Sequence, residues 1–232
     1  MVKAKNALLI RKTHRYLGLF LGIQFLLWTS SGLYFSWTDI DEIHGDHFLA
    51  EVEPITHSNL TVLTDLTKQI DITDLKLTTI LSEPFYWINN NLLIDAKTGF
   101  TKQGVSEQEA IEIATAMLKE KFVVRSVALL TEIESTHEYR GRPLPAYEIS
   151  YEHPEDLKLF VSQADGKFQR VRFRAWRWFD FLWMTHIMDY DDRDNINNWL
   201  LRAFSILGLI TVFSGFLLWY VSSPTIRKWK KK

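Results

Sequence analysis

The chain has 232 residues, with 27 Lys and Arg against 28 Asp and Glu, and no Cys. The near-neutral balance gives no electrostatic footprint for nucleic acid, and the missing thiols exclude a disulfide framework, Cys-ligated zinc, an iron–sulfur cluster and a thiol nucleophile. Apolar content of 47% excludes a disordered chain, and the most unusual figure is 14% aromatic residues.

Charge divides the chain. Residues 1–15 hold five cations (Lys3, Lys5, Arg11, Lys12, Arg15) and no acid. Residues 223–232 hold five more (Arg227, Lys228, Lys230, Lys231, Lys232), again without an acid. The part between is strongly acidic. The stretches 16–38 and 203–226, of 23 and 24 residues, contain no charge at all. A helix needs about 20 apolar residues to cross the hydrocarbon core of a bilayer, so both predict transmembrane helices. Tyr16, Tyr34 and Trp37 mark the ends of the first, and Trp199, Trp219 and Tyr220 those of the second, as an interfacial aromatic belt does. Cations resist translocation, which predicts both termini in the cytoplasm and the middle on the outer side. The first span is too long for the apolar region of a usual cleaved signal and reads as an uncleaved anchor. Gly18 and Gly22 on the first span, and Gly208, Thr211 and Gly215 on the second, are small residues at helical spacing that allow close helix approach. Gln24, polar at mid-membrane depth, is expected to face protein. Two helices make a thin bundle, which predicts a homodimer or a partner membrane protein alongside lipid.

Between the spans the pattern alternates helix and strands. Leu60, Leu63, Thr67 and Ile70 mark a short helix, followed by strands near 75–81, 85–88 and 92–94, with Asn89–Asn91 as a hairpin turn. Ser106 and Glu109 form a capping box ahead of a helix whose buried stripe is Ala110, Ile113, Ala114, Met117 and Leu118. Strands are predicted at 123–130, at 147–151 from the alternation of Tyr147, Ile149 and Tyr151 with polar residues, and at 157–161. Asp165 and Gly166 then turn into 167–173. The two halves lie about 67 residues apart in the same order, which suggests a duplicated helix-plus-sheet unit. Beyond them, Trp176, Phe179, Leu182, Trp183, His186 and Tyr190 recur at three- and four-residue steps, an aromatic stripe on a helix lying at the outer membrane surface.

The stretch from Ala110 to Phe168, with its YEISY strand and DGK turn, resembles a PepSY domain. The segments THRYLGLFLG (from Thr13), SGLYFSW (from Ser31) and VFSGFLLW (from Val212) resemble PepSY-associated transmembrane helices. The resemblance implies an α+β fold, with two transmembrane helices flanking an extracytoplasmic PepSY-type domain of helix plus antiparallel sheet, duplicated here. The expected divisions are 1–15 as a basic cytoplasmic tail, 16–38 as the first span, 39–104 as connector and degenerate unit, 105–172 as the PepSY domain, 173–198 as interfacial helix and acidic loop, 199–226 as the second span, and 227–232 as a basic tail. Some larger relatives, with four helices, are haem-containing inner-membrane reductases of ferric siderophores. Others are thought to bind peptides or restrain proteases.

Motifs for nucleotide binding, serine hydrolysis and zinc proteolysis are absent; His137-Glu138 lacks the second histidine of a zinc helix. No catalytic residue and no metal-ion ligand set is assigned, and whether the chain is an enzyme stays open. The seven histidines are the functional candidates, because neutral imidazole is a good haem-iron ligand. His14 occupies the family's HRYLG position at the inner mouth of the first span, either as a haem ligand or as an interfacial polar residue. His186 lies on the aromatic stripe, either packed or bound to an outer haem together with His44 or His47. His14 is too far from these to share an iron, since a span of about 30 Å intervenes. His57, His137 and His153 read as surface or turn residues. The acidic run from Asp189 to Asp194 either caps the second span or attracts a cation. Arg172, Arg174 and Arg177 are expected at lipid headgroups beside Trp176 and Trp178. Two functions follow: a haem-b electron-transfer component of the bacterial inner membrane associated with ferric-siderophore uptake or reduction, with a periplasmic central domain; or a non-enzymatic module that binds a peptide or partner, or regulates a protease.

Overall fold

The computed structural model describes residues 4–61 and 70–223. They form two compact units, one drawn from Met1–Thr38 with Asp180–Lys232 and the other Asp39–Phe179.

The first unit is helical. Helix α1 (Ala4–Trp37) runs 34 residues without a break, which is about 51 Å. The uncharged run is therefore the later part of a longer helix that begins among the basic residues. A short helix α2 (Ile40–His44) follows in the second unit, capped by Asp39 and closed by Gly45 in the left-handed region. A single 3-10 turn, Asp46–Phe48, comes next.

The second unit holds two antiparallel four-stranded meanders. The first sheet takes β1 (Leu75–Ile80), β2 (Glu83–Ile88), β3 (Leu92–Asp95) and β4 (Thr101–Lys102) in sequence order. Ile88 pairs with Leu92 across the Asn89–Asn91 turn. Asn89 and Asn90 adopt φ of 51° and 57°, a region asparagine tolerates because its short amide can bond locally. The Asn89 amide oxygen accepts the Thr73 N–H at 2.8 Å and so pins the turn. The short helix expected before β1 falls mainly on residues 62–69, outside the described residues.

Helix α3 (Glu107–Ala116) starts on the predicted capping box. Ser106 Oγ accepts the Glu109 N–H at 3.3 Å, and the Glu109 carboxylate accepts the Ser106 N–H at 2.8 Å. The second sheet follows as β5 (Val124–Leu130), β6 (Ala146–Tyr151), β7 (Lys158–Ser162) and β8 (Phe168–Arg172), again in sequence order. In β6 the expected alternation holds: Tyr147, Ile149 and Tyr151 are buried, while Glu148 and Ser150 are half-buried. One core joins both sheets to α3, with Phe85, Trp87 and Leu93 from the first, Ile149, Leu159 and Val161 from the second, and Ala110 and Ala114 from the helix. The two sheets are thus one packed body. Gly104, at the junction between them, sits at φ +79°, and a Cβ there would meet Gln163 O at 2.5 Å. Only glycine fits that approach.

Helix α4 (Arg174–Ile187) straddles the boundary between the two units, and α5 (Trp199–Ser222) completes the helical one. Met188, at φ 55°, ends α4, so Tyr190 lies beyond the helix and is not part of its stripe. Asn198 caps α5 by accepting the Leu201 N–H at 2.8 Å.

Candidate functional site: histidines of the helical unit

Among the described residues, α1 and α5 are the two helices long and apolar enough to span a bilayer. Their outward side chains are apolar: Leu19, Ile23 and Leu26 on α1 are about seven-tenths exposed, and Ile206, Leu209, Phe213 and Phe216 on α5 more than half. Side chains of this kind along α5 and the uncharged part of α1 suit a hydrocarbon solvent rather than water.

The two helices run antiparallel. Phe20 stacks on Phe204 with ring centroids 5.8 Å apart, and His14 meets Ser214 with 2.8 Å between Nδ1 and Oγ. Ser214 Oγ in turn donates to Thr211 O at 2.7 Å. The His14 ring lies over Gly215, where a Cβ would come within 3.2 Å of Cε1. Glycine there leaves the space that the imidazole fills. Helix α5 continues for two turns, about 12 Å, past Ser214. His14 therefore sits about two turns in from the end of α5.

The register that sets His14 against Ser214 carries the last turns of α1 past the start of α5. There the end of α4 becomes their neighbour. Gln24, Trp28, Ser31 and Phe35 form one face of α1 at steps of four, three and four residues. Gln24 Nε2 donates to Thr185 O at 3.3 Å, and Trp28 Nε1 donates to His186 O at 2.6 Å. Ser31 Oγ lies 2.7 Å from His186 Nδ1. The rings of Phe35 and Trp28 stand 5.6 Å and 6.4 Å from the imidazole, and Phe35 also meets Trp183 edge-on. Burial in this setting holds His186 below the ordinary histidine range, favouring the neutral ring. Ser31 is 2% exposed and donates to Leu27 O at 2.7 Å. Among the described residues, no hydrogen bond reaches Nε2 of His14 or of His186.

The family model of the PepSY-associated TM region matches residues 11–232, which is nearly the whole chain and takes in both long helices. The chain belongs to the PepSY-associated TM family. It is a membrane protein. No match was found among curated proteins or solved structures.

Elsewhere in this PepSY-associated protein the expected residues are distributed differently. His14 and His186 are the only histidines of the helical unit. Their serine partners place them about 25 Å apart along α1, so they do not share one centre. His44 and His47 are exposed residues of the other unit. His137 and His153 are turn residues whose Nδ1 accepts the N–H of Tyr139 and of Glu155. Asp189 is 6% exposed and its carboxylate accepts the N–H of Asp194 and Asn195, so it closes the loop before α5. Of the small residues, Gly208 and Thr211 are buried in the helix pair, whereas a Cβ on Gly18 or Gly22 would meet nothing within 4 Å.

Of the arginines expected at lipid headgroups, Arg174 is exposed and donates to Pro154 O at 2.6 Å, but the other two are placed differently. Arg172 is 6% exposed, lies 3.8 Å over the Trp176 ring and donates to Glu138 O at 2.9 Å. Arg177 binds the Glu138 carboxylate at 2.8 and 3.3 Å, and Lys158 binds it at 2.7 Å. Arg177 and Lys158 face an internal acid because the start of α4 and β7 bring them to it, while Arg172 on β8 meets the backbone of the same residue. Sequence reasoning missed Glu138, since its partners are 20 and 39 residues away. It also missed Ser31 and Ser214, although Ser31 falls three residues after Trp28 and Ser214 adjoins Gly215.

Proposed function

We propose that this protein is a haem-b-binding electron-transfer component of the bacterial cytoplasmic membrane, associated with ferric-siderophore uptake or reduction, in which His14 and His186 would hold the iron. The observation that carries this reading is the pair of membrane-unit histidines, each anchored through Nδ1 on a helix serine and each with Nε2 uncommitted. The donor set fits the group: neutral imidazole is an iron ligand, and Trp28, Phe35 and Trp183 give His186 an aromatic wall suited to a flat macrocycle. Haem b, when bound, supplies a one-electron couple. The chain's own residues hold the imidazoles and orient them.

Two sites at different depths suit transfer across the bilayer. One chain offers one imidazole to each, so a further ligand would come from another copy or from a partner membrane protein. His44 and His47 carry no part of this reading. The basic ends support cytoplasmic termini and a periplasmic central region. The identical strand order of the two sheets supports a duplicated PepSY-type module as the origin of that region.

The test is the absorption spectrum of the detergent-solubilised protein, oxidised and then dithionite-reduced, from haem-replete cells. A Soret band that sharpens on reduction and is lost in the His14→Ala, His186→Ala double variant is expected. A colourless preparation overturns the proposal.

A further inference from the structure

Among the described residues, four histidines are hydrogen-bonded through Nδ1, and they fall into two classes. At His137 and His153, Nδ1 accepts a backbone N–H, at 3.1 Å from Tyr139 and 3.2 Å from Glu155. A neutral ring that accepts at Nδ1 carries its proton on Nε2. At His14 and His186 the partner is a serine hydroxyl instead, at 2.8 and 2.7 Å.

A hydroxyl has one proton to give. That of Ser214 lies on the 2.7 Å line to Thr211 O. That of Ser31 lies between Leu27 O at 2.7 Å and Trp28 O at 3.3 Å. Each serine oxygen is left with lone pairs only, so each imidazole must donate to it from Nδ1. The opposite assignment would set a hydroxyl oxygen 2.7 Å from a carbonyl oxygen with no proton between them, and would do so twice.

We infer that Ser31 and Ser214 are positioning residues that fix His186 and His14 as the Nδ1–H tautomer, leaving the Nε2 lone pair of each for a metal centre. That is the form in which a ring-nitrogen ligand is held by its other nitrogen. The serines act across helix contacts: Ser31 on α1 holds the ring on α4, and Ser214 on α5 holds the ring on α1. Trp28, bonded to the His186 carbonyl, fixes the backbone behind the same ring. Gly215 makes room beside Ser214 for the other. The identity of the metal centre as haem iron rests on the proposed function; the tautomers do not.

The full-length protein, labelled with ¹⁵N-histidine and purified without haem into lipid nanodiscs, gives the imidazole nitrogen signals above the histidine titration range. His14 and His186 are expected with a protonated Nδ1 and a bare Nε2, and His137 and His153 with the reverse. Ser31→Ala and Ser214→Ala each shift their own histidine toward the Nε2–H form, while Ser31→Thr and Ser214→Thr retain the wild-type signal. An Nε2–H signal at His14 or His186 in the wild-type protein overturns the inference, whatever the variants do. Haemin added to the same samples separates the two readings. Nδ1–H rings that bind no haemin overturn the proposed function and sustain the serine assignment. Haemin bound by rings that were Nε2–H beforehand does the opposite. When both hold, the alanine variants bind haemin about tenfold more weakly.

Discussion

Glu138 is the residue on which the second unit gathers two cations. Its side chain is 13% exposed and faces Arg177 and Lys158 together, while Lys158 also reaches Glu148 at 2.9 Å. Burial works to raise its pKa, but the bonds from Arg177 and Lys158 outweigh it and hold the carboxyl below the ordinary glutamate range. The folded value lies below the unfolded one, about 4.3. Its contribution to stability is therefore complete above that pH and is lost as pH falls through it toward the folded value. Glu138→Gln should cost about 2–3 kcal/mol at neutral pH, since two half-buried cations lose their anion. Thermal midpoints measured from pH 7 down to 3 should show the variant with a shallower acid slope than wild type. Parallel curves would mean that the carboxylate is not the group responsible.

At the scale of elements, two contacts decide more than their size suggests. Helix α3 supplies the buried Ala110 and Ala114 to the shared core, and its start depends on the reciprocal bonds of Ser106 and Glu109. Ser106→Ala should destabilise the unit by about 1 kcal/mol, and Ser106→Asp should recover most of that. Chemical denaturation of the two variants measures it. In the helical unit, the α1–α5 contact uses the glycines that have a neighbour, Gly208 beside Phe25 and Gly215 beside His14, not the pair that forms a motif. Gly215→Leu displaces the His14 ring and should lower the thermal midpoint in detergent by several degrees, whereas Gly18→Leu, facing open space, should leave it near wild type. An equal loss at Gly18 would place a further chain on that face.

For the molecule as a whole, the apolar exterior of α1 and α5 makes the lipid bilayer part of the folded state. Full-length protein should remain in the membrane pellet after carbonate extraction. The proposed topology predicts that protease added to right-side-out spheroplasts cuts within residues 39–198 and spares an epitope placed at either end. Cleavage of the ends with a protected centre would reverse the orientation and, with it, the assignment of His14 to the cytoplasmic half.

What could be read without coordinates follows from periods and solvents. A charge-free run of 23 or 24 residues fixes a span because the bilayer has one thickness. The Ser106–Glu109 box, the alternation of Tyr147, Ile149 and Tyr151, and the asparagine turn after Ile88 are short-range patterns, and each lies where the sequence placed it. The core that the two sheets share was not legible, because Trp87 and Ile149 join one cluster only after the chain has folded back. Nor were the partners of the two membrane histidines. Ser214 lies 200 residues from His14, and Ser31 lies 155 from His186. Local propensity carries no information across such separations. The register of one helix against another decides which serine meets which ring, and with it which nitrogen holds the proton.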